Sequence, residues 1–137
     1  MPKSPKPDGA IFEPRSITDN RRVFGQSHSR LLDRATQSPQ EGAAEFQHAV
    51  ANRIREHLLR KKTSLSKFCK DADLPAGLSY ERFQRIGRGE TMMTFTDLMF
   101  WAKEIPDLYM FVGSVLFTLT APESGVDTRL APPEASF

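Results

Sequence analysis

Apolar residues recur at helical spacing through the middle of the chain. Phe46, Val50, Ile54 and Leu58 follow one another every four residues, with Ala49 and Ala51 beside them, which predicts a long helix from about Ala43 to Lys61. Leu65, Phe68, Cys69 and Ala72 give one buried face of a second, short helix, capped by Thr63 or Ser64 and ended before Pro75. The segment Leu74 to Leu78 reads as a turn, with Gly77 free to take a positive φ. A third helix starts at Ser79, turns Phe83 and Ile86 inward, and stops at Gly87 and Gly89, the latter as its C-cap glycine. A fourth covers Thr94 to Glu104, capped by Thr94 or Thr96 and stopped by Pro106; its apolar residues are Leu98, Met99, Trp101 and Ala102. Asp107 to Leu119 makes a fifth through Leu108, Phe111, Val112, Val115, Leu116 and Leu119, although its β-branched and aromatic content also suits a strand.

The flanks lack this periodicity. Residues 1–43 and 121–137 hold most of the ten prolines, so the expected layout is an all-α, five-helix domain over 44–120 between a disordered or partner-docking arm (1–43) and a disordered tail (121–137). Within the arm, Ile11-Phe12 and Val23-Phe24 are apolar pairs suited to docking on the domain or on a partner, and residues 28–36 suit a turn or two of helix. A folded middle of this size is near the lower limit for independent stability, which favours self-association.

Charge sharpens the picture by its distribution. The net formal charge is only +2, yet residues 44–90 carry ten Lys/Arg against six Asp/Glu, while 91–137 carry two against six. That asymmetry suits either a face that meets a polyanion or ordinary solvated charge. The lone Cys69 allows no intramolecular disulfide, and the N-terminus has no apolar core of a secretory signal. The longest apolar stretch, Leu108 to Leu119, is about 12 residues, too short for a membrane span. A cytoplasmic protein with no membrane contact is expected.

The order of elements resembles the helix-turn-helix family of phage Cro proteins and repressors, the xenobiotic-response-element type. Phe68-Cys69 stands where that family has Leu-Ala, Gly77-Leu78-Ser79 looks like its Gly-Val-Ser turn, and Ile86-Gly87-Arg88-Gly89 looks like its Ile-Glu-Arg-Gly. Phe83 falls where its buried Ile lies, and Leu98 with Trp101-Ala102 is similar to its later Leu-x-x-Ile-Ala. The resemblance covers roughly residues 50–105, and its specific part is Gly77 to Gly89. Two departures stand out: eight positions, not the family's four, separate Cys69 from Gly77, and Gly87 replaces the family's Glu.

The resemblance implies sequence-specific binding of double-stranded DNA, hence transcriptional control, with a recognition helix at about 79–88 in the major groove. Its base-reading set by position is Tyr80, Glu81, Gln84 and Arg85. Arg85 pairs bidentately with guanine, Gln84 with adenine, and Glu81 accepts from cytosine N4. Phosphate contacts fall to Lys61, Lys62, Ser64, Ser66, Lys67, Ser79, Arg82 and Arg88, with Arg53, Arg55 and Arg60 as weaker candidates. A domain of this size binds a two-fold site as a homodimer; Leu108, Phe111, Val112, Val115, Leu116 and Leu119 are the candidate dimer face, or plain intradomain packing.

The rival reading is a helical protein-interaction module, an adaptor, antitoxin-like partner or inhibitor, whose arm 1–43 binds a protein partner. No catalytic set, phosphate loop or cofactor motif points to an enzyme or a cofactor. His28, His48 and His57 lack a second ligand at metal spacing, and Cys69 reads as a core residue.

Overall fold

Capping chemistry sets where the helices begin. The computed structural model describes residues 12–27, 31 and 38–121. Over them the chain is all-α: α1 (Pro39–Arg60), α2 (Leu65–Asp71), α3 (Tyr80–Gly87), α4 (Phe95–Glu104) and α5 (Leu108–Thr120), preceded by two 3₁₀ turns, Pro14–Ile17 and Arg21–Val23. The fifth segment is thus a helix, not a strand. Among the described residues the only β pairing is an isolated bridge between Thr18 and Leu31.

Of the caps left open by the sequence, Ser64 rather than Thr63 starts α2, accepting from the Lys67 N–H, and Thr94 rather than Thr96 starts α4. Ser79 caps α3 by accepting from the Arg82 N–H. Helix α1 starts four residues before the expected Ala43. Pro39, one of the prolines that made the arm look irregular, sits in its first turn, where a missing N–H costs nothing. Ser38 and Glu41 close a capping box around it, at 3.0 and 3.1 Å.

Helices α1 and α3 end alike. In each, two reverse hydrogen bonds close a Schellman motif around a residue with positive φ: Lys62 (φ 56°) after α1 and Gly89 (φ 73°) after α3. The α2–α3 connection, residues 72–79, absorbs the extra length before Gly77. It closes on a turn in which the Leu78 N–H donates to Pro75 O at 3.1 Å and Gly77 takes φ 92°. Leu74 and Leu78 pack against the main core, so the expansion is a tethered loop.

That core holds Cys69, Phe83, Ile86, Trp101, Ile105 and Leu108. Phe68, Phe83, Phe100 and Trp101 meet there with ring centroids 5.2 to 6.2 Å apart. Trp101 is buried, whereas Phe95 at the start of the same helix is 84% exposed.

A second, smaller core joins part of the arm to α1, at two of the apolar spots that the sequence offered for docking. Ile17 and Phe24 are buried against Ala44 and Ala51 of α1, with Phe12 and Leu31 at the edge. The buried side of α1 is therefore wider than the Phe46/Val50/Ile54/Leu58 stripe, and it includes Ala44, Gln47, Ala51 and His57. Small residues at 44 and 51 leave room for the arm. The Gly25 N–H donates to Nδ1 of His48 at 2.9 Å, and Phe24 meets the His48 ring edge-on. Burial pushes the His48 pKa down, partly countered by Glu45, so the neutral ring that accepts this bond is favoured. Of the docking pairs, Phe12, Val23 and Phe24 are described and Ile11 is not; the segment 28–36, apart from Leu31, and the tail beyond Ala121 also lie outside the described residues.

Candidate nucleic-acid interface

Helix α3 has eight residues. At about 100° per residue, Tyr80, Gln84, Arg88, Glu81 and Arg85 fall within an arc of roughly 140°, and Phe83 and Ile86 lie opposite it. The burial follows this division: Phe83 and Ile86 are buried, Glu81, Arg85 and Arg88 are exposed, and Tyr80 and Gln84 are half-buried. The four residues expected to read bases are thus brought to one face. Two of them hold each other, since Nε2 of Gln84 donates to the Tyr80 hydroxyl at 2.8 Å. Tyr80 also packs against the main core.

Arg82 is the exception among the expected phosphate contacts. Its guanidinium forms a fork with Asp97, Nε to Oδ1 at 2.9 Å and Nη2 to Oδ2 at 2.6 Å. Asp97 is fully buried and also accepts from the Thr94 N–H and hydroxyl, both at 2.8 Å. Burial alone would raise the Asp97 pKa, but Arg82 and the Thr94 donors outweigh it and hold the carboxyl below its ordinary value. The bond to Asp97 in turn raises the Arg82 pKa. Arg82 therefore couples α3 to the start of α4, which commits Nε and Nη2 of its guanidinium to Asp97.

Five of the remaining phosphate candidates lie along the α1–α2 edge, while Ser79 and Arg88 flank α3. Lys61, Lys62, Ser64, Ser66 and Lys67 are all exposed; Lys67 pairs with Asp71 at 3.2 Å on the surface. Ser64 and Ser79 spend their hydroxyls on helix caps, leaving the first N–H groups of their helices as donors. Arg53 is held elsewhere, over the Phe111 ring at 5.0 Å and 3.4 Å from Asp107, while Arg55 and Arg60 are exposed.

Sequence reasoning missed Gln47. It is 1% exposed, its Nε2 donates to Ile86 O and Thr91 O at 2.9 Å each, and its Oε1 accepts from the Met93 N–H at 2.7 Å. These bonds clamp the end of α3 and the following loop onto α1. The available signal was a polar residue three positions before Val50, on the apolar side of α1.

The expected dimer face divides. Leu108 is fully buried in the main core, because it opens α5 against α4, and cannot contact a second chain. Phe111 and Val112 pack on that core, Val115 and Leu119 are half-buried, and Leu116 is exposed. Tyr109, Met110 and Phe117, not anticipated, are exposed on α5, as are Phe95 and Met99 on α4. Val112, Leu116 and Leu119 line a groove of about 520 Å³ with Phe46, Phe95 and Leu98.

Cys69 is buried, and its thiol is pushed up by burial and by Glu81. Among the described residues, no three His, Cys, Asp or Glu side chains stand close enough to hold a metal ion, and no helix is long and apolar enough to cross a membrane. Comparison with protein-family models, with curated proteins and with solved structures finds no match to this chain.

Proposed function

We propose that the protein binds double-stranded DNA in a sequence-selective way and acts in transcriptional control, with α3 as the element that enters the major groove. The observation that carries this reading is the arc of half-buried Tyr80 and Gln84 and exposed Glu81, Arg85 and Arg88, framed by the Ser79 cap and Gly89 and backed by buried Phe83 and Ile86. Those side chains supply the donors and acceptors that base edges demand. The resemblance of Gly77 to Gly89 to the Cro and repressor turn supports it, as do the exposed Lys61, Lys62 and Lys67 beside the N-terminus of α2. The mechanism is occupation of a promoter site, by occlusion or recruitment, without catalysis.

Selection of bound duplexes from a randomised pool tests the proposal. Enrichment of a short motif is the expected result, and a bound pool no different from the input counts against it.

The exposed Phe95, Met99, Tyr109, Met110, Leu116 and Phe117 favour a protein-interaction role for a second face. We assign that face to another copy of the chain. Helix α5 has no charged residue in its 13 positions, so two such helices meet without needing a complementary charge. A homodimer would also present two α3 helices to a two-fold site.

A further inference from the structure

Arg88 belongs to two features at once. It completes the arc of α3, and it lines a pocket of about 270 Å³ with Arg15, Arg21, Arg22 and Glu90. The other three arginines come from the arm, some 70 residues earlier in sequence. What brings them there is built into the fold. The Arg15 N–H donates to Gly89 O at 2.9 Å, and the Phe24 ring and Arg15 Cβ lie within 2.8 Å of where a Gly89 side chain would start.

The charge in the pocket is unbalanced. Glu13 pairs with Arg15 at 3.2 Å and with Arg21, and Glu90 lies 3.7 Å from Arg15. Among the described residues, Arg22 and Arg88 have no carboxylate partner. Among the described residues, the four guanidinium groups against the carboxylates of Glu90 and the neighbouring Glu13 leave a local excess of two positive charges. The carboxylates hold Arg15 and Arg21 in place, and the excess is left facing solvent. Guanidinium forks suit phosphate oxygens in both geometry and charge.

We infer that this pocket takes a DNA backbone phosphate, so that the arm extends the footprint beyond the groove that α3 reads. The inference rests on the proposed role of α3. A helix of eight residues is about 12 Å long, and the major groove is about 12 Å wide. With the N-terminal end of α3 at the base edges, its C-terminal end emerges beside a strand, where Arg88 and the arm arginines stand together.

The test uses the full chain and fluorescence anisotropy on two duplexes of equal length, one carrying the selected motif and one random, at several salt concentrations. For Arg21→Ala/Arg22→Ala the salt slope becomes shallower by about 0.9 for each phosphate the protein no longer neutralises. Affinity for both duplexes falls together and their ratio holds. Arg22→Lys retains most of the slope, and thermal unfolding of all variants matches wild type. An unchanged slope in a double variant that still binds the selected duplex overturns the pocket and leaves α3 standing. Failure of wild type to bind either duplex overturns both. In that case calorimetric binding of pyrophosphate that depends on Arg22 would assign the pocket to a free anion instead of DNA.

Discussion

Gly87 and Gly89 stand two residues apart and meet different constraints. A methyl group at Gly87 would meet nothing within 4 Å, whereas at Gly89 it would fall 2.7 Å from the Phe24 ring on a backbone at φ 73°. Gly87→Ala is expected to be neutral or stabilising by about 0.4–1 kcal/mol through the unfolded chain. Gly89→Ala should cost ~1–2 kcal/mol from the backbone alone, with the ring clash added. Urea unfolding of the two variants checks the contrast. Gln47 is the other residue on which α3 depends. Replacing it by Leu removes three hydrogen bonds, a loss of roughly 3 kcal/mol. The same denaturation should show it.

At the scale of elements, the arm matters most. Phe24 is buried against α1, so Phe24→Ala should destabilise by about 3–5 kcal/mol. The bond from Gly25 to His48 adds a pH dependence. The folded His48 pKa lies below the ordinary 6.5, so the unfolded chain binds more protons between those two values. Stability from this group is complete above the ordinary value and is lost as pH falls through the folded one. Thermal melts from pH 7.5 to 5 should decline, and His48→Asn, which offers a neutral acceptor in place of the ring, should flatten that part of the decline.

Local signals were legible in the sequence at this scale: Ser79, Gly77 and Gly89 bound α3 as expected because caps and turns act within four residues. The half of the site that involves distant partners was not. Nothing near Arg82 in sequence announces Asp97, and nothing near Gly89 announces Phe24, since those contacts exist only after the chain has closed on itself. The apolar pairs of the arm were legible, but its prolines hid the turn at Pro14 and the start of α1 at Pro39, because both sit at first-turn positions that tolerate proline.

For the molecule as a whole, two surfaces point away from the cores: the α3 arc with its arginine pocket, and the apolar α4–α5 face. If a second copy covers the latter, sedimentation velocity finds a dimer at micromolar concentration, and Leu116→Glu with Phe117→Glu returns a folded monomer. That monomer should keep a half-site and lose the gain from a two-fold site. The central claim is that α3 reads base edges, and Arg85 is the residue on which it turns: exposed, on the arc, and clear of the cores. The direct measurement is the ratio of affinities for selected and random duplex, wild type against Arg85→Ala. If Arg85 reads a base, the ratio drops by ~1–3 kcal/mol, roughly five- to 150-fold. A ratio that stays the same while wild type discriminates would contradict it.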